Sequence, residues 1–138
     1  MRIEGWEKTL NAVLERHRDM PGVWGVSDCW MPAMEAYEAV TGKILAPELR
    51  GYTTEREGYR LFARHGFRSV GEALAAHLPE CPVLMAGRGD LGVVERIGPD
   101  GDPVESCCVV TAIGVAVKTE AGLAYLPVTS LKRAFRVS

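Results

Sequence analysis

Apolar side chains recur at helical spacing through the first half of the chain and at strand spacing through the second. Trp6, Leu10, Val13, Leu14 and His17 share one helical face and predict a helix over residues 4–18, which Pro21 and Gly22 break. Ser27 or Asp28 can cap a second helix, whose stripe is Trp30, Ala33, Met34, Tyr37 and Val40 and which Gly42 stops. Thr54 with Glu57 forms a capping box ahead of Tyr59, Phe62 and Ala63, and Gly66 ends that third helix. Ser69 with Glu72 forms another ahead of Ala73, Leu74 and Leu78, with Pro79 as its stop.

From Leu91 the period changes to two. Leu91–Ile97 reads as a strand, and residues 98–103, Gly-Pro-Asp-Gly-Asp-Pro, form a dense turn signal. Residues 107–117 read as one long β-branched strand, residues 119–122 as a turn, and Leu123–Leu126 and 134–137 as two short strands. On the long strand Val109, Thr111, Ile113, Val115 and Val117 would share one face. Val110, Ala112, Gly114 and Ala116 would form a face of small residues, against which the helix beginning near Cys29 is expected to pack. Helices followed by strands on short turns predict a single α+β domain over 1–138, its helices on one face of an antiparallel meander. No repeat, low-complexity segment or linker interrupts it.

Composition narrows the function classes. Hydrophobic residues are 47% and charged residues 25% of the 138, an ordinary globular balance. Lys+Arg is 16 against Asp+Glu 18, so there is no basic footprint and no nucleic-acid partner is expected. The longest apolar run, residues 107–117, is too short to span a bilayer, and no basic-then-apolar leader follows Met1, so no membrane insertion and no signal peptide are expected. The four cysteines, at 29, 81, 107 and 108, form no CxxC pair, so neither a zinc site nor any cofactor is expected. Cys107 and Cys108 read as small core residues on opposite faces of a strand, and Cys81 as a loop residue before a proline.

Trp24-Gly25-Val26-Ser27-Asp28-Cys29 carries the most specific chemistry. It places a thiol in the first turn of a helix, where free N–H groups and the helix dipole favour the thiolate. Nucleophilic cysteines are often held this way, and so are buried cysteines that merely follow a cap; the pattern fits both. The three histidines, 17, 65 and 77, all lie in the helical half. His17 falls on an apolar stripe, and His65 and His77 close their helices, so each reads first as structural, with His17 the nearest recruit for Cys29. Glu35 and Glu38 read as a solvated helix edge, and Asp90 as a turn residue bonding backbone N–H groups. Asp100 and Asp102 lack the ligand spacing of a calcium loop. Trp6, Trp24 and Trp30 read as core or interface anchors.

The layout resembles the NlpC/P60 cysteine peptidases, papain-like domains that usually cut cell-wall peptides. The resemblance rests on Trp24-Gly25 with Asp28-Cys29 leading a helix, on Arg88-Gly89-Asp90-Leu91 opening the first strand, and on Ala112-Ile113-Gly114-Val115 where that family has His-x-Gly. More narrowly it is similar to small NlpC/P60-like proteins of phage and gene-transfer-agent tail modules. That match is carried by Glu38 to Gly42, by Leu49-Arg50-Gly51-Tyr52, and by the closing Gly122 to Pro127 and Arg133 to Val137. The resemblance implies a papain-like NlpC/P60-type α+β domain with Cys29 at the nucleophile's position. The family's general base would fall at position 112, where this chain has Ala112, and the next strand offers only Tyr125 as an orienting polar residue. A Cys–His mechanism needs an imidazole in reach of sulfur and a third group to hold it.

The expectation that follows is a degenerate peptidase fold in a tail-tip or tail-hub-associated protein, with a structural or binding role. Tail-hub or tail-tip proteins are its expected partners, a peptidoglycan peptide a further one, and the virion tail, or the bacterial cytoplasm before assembly, its place. One alternative is an active cell-wall peptidase or amidase that uses Cys29 with a non-standard base. Another is a small bacterial protein that binds a peptide or acyl group on the same fold.

Overall fold

The computed structural model describes residues 1–138. Helices α1 (Trp6–His17), α2 (Trp30–Thr41), α3 (Glu55–Arg64) and α4 (Val70–His77) match the four apolar stripes. The Thr54 side chain accepts from the Glu57 N–H and Ser69 from the Glu72 N–H, so both predicted N-caps start their helices, without the reciprocal bond from the glutamate side chain to the cap N–H that a full capping box would add. The strands are β1 (Glu80–Cys81), β2 (Leu91–Ile97), β3 (Pro103–Thr111), β4 (Gly114–Lys118), β5 (Leu123–Leu126) and β6 (Leu131–Phe135). They form one antiparallel sheet in the order β1-β6-β2-β3-β4-β5. The fold is α+β, with a meander running from β2 to β5. The chain then returns through a short 3-10 turn at Val128–Ser130 to lay β6 between β2 and β1.

Three expectations need correction. Residues 107–117 are not one strand: they fold into the β3–β4 hairpin, with Ala112 and Ile113 as its two-residue turn and Thr111 paired with Gly114. Gly114 has φ +130°, and a Cβ there would stand 2.5 Å from the Leu126 carbonyl oxygen, so a glycine is required at a site that β-branched neighbours disguise. The last strand spans Leu131–Phe135 rather than 134–137, and Cys81 sits in the short β1 rather than a loop.

The hairpin also reassigns the faces. Cys107, Val109 and Ala116 face the helices with Leu91, Val93 and Phe135, packed against Leu10, Trp30, Ala33, Met34, Val40 and Leu74. Cys108, Val110, Val115 and Val117 face the other way with Val94, Leu131 and Ala134. The small face expected on one strand therefore does not exist as such, although Ala33 of α2 and Ala116 of β4 do meet in the helix-side core. The far face is covered by the turns that carry Val83, Ala86 and Val128, so the sheet is buried on both sides. Trp30 is 2% exposed and meets Phe62 edge-on at 5.0 Å, pinning the first turn of α2 against α3. No helix is long and apolar enough to cross a membrane.

Candidate functional site

The N-terminus of α2 is built by one carboxylate. Asp28 Oδ1 accepts from the Trp30 and Met31 N–H groups at 3.0 Å each, and Oδ2 accepts from the Gly25 N–H at 2.8 Å and the Tyr52 hydroxyl at 2.7 Å. Ser27 closes the turn before it, donating to the Pro21 carbonyl and accepting from the Val23 N–H. Gly25 has φ +82°, and a Cβ there would lie 1.9 Å from the Tyr52 carbonyl oxygen, so only glycine lets the two segments touch. Gly25 and Asp28 thus meet Tyr52, far away in sequence, in one knot centred on the buried Asp28–Tyr52 pair. Burial and the Asp28 carboxylate push the Tyr52 hydroxyl far above its ordinary pKa, so it stays a donor.

Cys29 occupies the N-cap of α2. It keeps a little accessible surface and otherwise packs against the helix-side core. The helix terminus does not serve the thiol as the sequence implies, because Asp28 has taken the Trp30 and Met31 N–H groups and its charge opposes ionisation of Cys29. The sulfur is instead served from the sheet. The neighbouring Cys107 thiol on β3 favours the Cys29 thiolate and lowers its pKa, against the desolvation that would raise it. Burial, reinforced by the neighbouring Cys29, holds the Cys107 thiol well above its ordinary value. The two thiols therefore differ: the Cys29 pKa is lowered in a residue that is only half-buried, whereas Cys107 is buried and its pKa is raised.

Cys29 and Cys107 line a cavity of about 10 Å³, together with Cys108, Ala33, Ala116, His17 and Lys118. That is room for roughly one water molecule. The far wall is charged. His17 Nε2 pairs with Glu35 Oε2, and Glu35 Oε1 accepts from Arg16 at 2.9 Å. Lys118 Nζ donates to the His17 carbonyl at 3.2 Å and lies 3.3 Å from His17 Nδ1. An ammonium group has only donors, so Nδ1 accepts and Nε2 carries the proton donated to Glu35. Both ring nitrogens are engaged, and neither is bonded to Cys29. Burial lowers the Lys118 pKa, with Glu35 opposing the shift.

The remaining candidates lie apart from the thiol. Ala112 is exposed in the β3–β4 turn, so the position read as the lost base does not face Cys29; the strand residue that does is Cys107. Tyr125 is 42% exposed and makes no side-chain hydrogen bond to the site. His65 is exposed beyond α3, and His77 bonds the Ala73 carbonyl at 2.7 Å and Glu48 at 3.0 Å. Glu38 is exposed as expected, but Glu35 is not a free solvated residue: it holds His17 and Arg16. Asp90 bonds backbone N–H groups as expected, those of Gly87 and Val137, and also pairs with Arg2 at 3.1 Å. No group of three His, Cys, Asp or Glu side chains stands where it could hold a metal ion. Sequence reasoning missed Cys107 and Lys118 as site residues. Their signal was the hairpin, since Lys118 shares the helix-facing side of β4 with Ala116, two residues away.

No curated protein and no solved structure matches the chain. A family model does, over residues 1–137, which takes in the Asp28 knot, both thiols and the charged wall. The chain belongs to the family described as a domain of unknown function, DUF6950.

Proposed function

We propose that this chain is a papain-like domain of the NlpC/P60 type that acts as a structural or binding component of a phage or gene-transfer-agent tail, at the tip or hub. The observation that carries the loss of catalysis is the partner of Cys29. A cysteine peptidase needs an imidazole that accepts the thiol proton and returns it to the leaving amine. Here the group against the sulfur is a second thiol with a raised pKa, and the only nearby imidazole has both nitrogens engaged. The cavity at the sulfur is also far too small for a peptide.

A binding role is supported by the surface beside the site. The loop that leads into Cys29 exposes Val23, Trp24 and Val26, and Trp24 stands 6.3 Å from the exposed ring of Tyr59 on α3. Aromatic side chains on a rigid platform are the usual anchors of protein interfaces. On this reading a tail-hub or tail-tip protein docks there, with a peptidoglycan peptide as a further ligand, and the protein ends in the virion tail.

Co-expression with the tail-hub and tail-tip proteins of the same genome tests this. A complex on size-exclusion chromatography, lost in a Trp24→Ala/Tyr59→Ala variant, is the expected result, alongside no release of peptides from purified cell wall. A protein that remains monomeric and releases wall peptides in a manner abolished by Cys29→Ser would replace this reading with an active peptidase or amidase.

A further inference from the structure

We propose that Cys29 and Cys107 form a peroxide-oxidisable dithiol that closes to an intramolecular disulfide between α2 and β3. The pair stands on geometry. Cys29, at the N-cap of α2, and Cys107, on β3, are both free, line the same small cavity and belong to the same apolar packing. The other two cysteines are placed otherwise. Cys108 is turned into the opposite face of the sheet, and Cys81 lies on β1, beyond β6 and β2.

The division of labour suits a dithiol. The attacking sulfur must ionise and be reachable, and Cys29 is the half-buried member with the lowered pKa. The resolving sulfur must wait beside it, and Cys107 is buried with its pKa raised. The cavity of about 10 Å³ leaves room beside the thiols for a small oxidant. A peroxide is little larger than water, whereas a peptide or a bulky disulfide has no room.

The steps balance. The Cys29 thiolate attacks one oxygen of hydrogen peroxide, the O–O bond breaks, and the products are a Cys29 sulfenic acid and hydroxide. Cys107 sulfur then attacks the Cys29 sulfur, the S–O bond breaks, and the leaving hydroxyl takes the Cys107 proton as water. Together with the proton Cys29 released on ionising, two thiols and one peroxide give one disulfide and two waters. The disulfide requires the two sulfurs to close to about 2.05 Å.

The test uses the native full-length chain, treated with hydrogen peroxide, alkylated and mapped by mass spectrometry. The expected result is a Cys29–Cys107 disulfide in the monomer, with Cys81 and Cys108 still alkylated. In Cys107→Ser, Cys29 is expected to stop at the sulfenic acid and be trapped by dimedone. Mapping of the unmutated chain decides the matter even if that variant folds poorly. A Cys29 that goes on to sulfinic or sulfonic acid while Cys107 remains a free thiol would overturn the proposal. So would a first modification at Cys81, or no reaction at any cysteine under native conditions.

Discussion

The cavity beneath α2 has two walls that differ in what they lack. The thiol wall, Cys29 against Cys107, holds a potential nucleophile with no base. The charged wall, His17 with Glu35 and Lys118, holds an oriented imidazole with no nucleophile. Between them the two walls hold the residue types of a Cys–His–Glu set. They remain separate because hydrogen bonds within each wall use up the groups that would reach across. Proximity in a fold therefore does not make a catalytic set; the capacity of each donor and acceptor decides.

The largest expected effect lies on the thiol wall. Asp28→Ala leaves the Gly25, Trp30 and Met31 N–H groups and the Tyr52 hydroxyl without their acceptor. Loss of a helix cap together with buried unpaired donors should cost about 3 kcal/mol, read from urea unfolding. A loss below about 1 kcal/mol would mean that water satisfies these groups and that the knot does not hold Cys29 in place.

On the charged wall, Lys118→Met should cost less, about 1–2 kcal/mol, because it strips a donor from the His17 ring and carbonyl but also removes a buried charge. Its signature is in the pH dependence. Lys118 has a lowered pKa in the fold and regains its ordinary value of 10.5 when unfolded. Between those two values the unfolded chain binds more protons, so this group makes stability rise with pH, and the methionine variant should lack that contribution.

Cys108 carries the opposite sign. The Cys108 pKa is raised by burial to about 12 from an ordinary 9.0. Between those values the unfolded chain has released a proton that the fold retains, so stability falls as pH rises. At pH 10 this amounts to about 1.4 kcal/mol, and Cys108→Ala should lose less stability than the parent between pH 7 and pH 10 by that margin. Equal losses would show that Cys108 titrates freely and that the far face of the sheet is open to solvent.

Much of this arrangement was readable in the sequence, and the part that was not has a specific cause. Helix stripes, N-caps and the Asp28-Cys29 helix start are local features, set by residues within one or two turns, and they appear where the spacing puts them. The β3–β4 hairpin is not local in that sense. Ala112 and Ile113 are poor turn residues, and only Gly114 marks the reversal inside a β-branched run. Missing that turn turned Ala112 toward the thiol, hid Cys107 as its true neighbour, and left Lys118 outside the strand that brings it to His17. The Glu35–His17 pair was equally hidden, because it depends on how α1 crosses α2 and not on either stripe alone.

The smallest effects concern rates and cut most directly between the walls. Alkylation of Cys29 by iodoacetamide follows its thiolate fraction. That fraction depends first on the Cys107 thiol, so Cys107→Ala should slow the reaction several-fold near neutral pH, to the extent that the lowered pKa returns toward its ordinary value. His17→Gln should leave the rate within about twofold, since the imidazole spends both nitrogens on Glu35 and Lys118 and gives nothing to the sulfur. The two variants form an internal control, because both remove a side chain from the same cavity and differ only in whether it favours the Cys29 thiolate. A tenfold fall in His17→Gln, with little change in Cys107→Ala, would mean that the charged wall serves the thiol after all. The base would then lie on α1 rather than on the sheet, and the chain would have to be tested again as an enzyme.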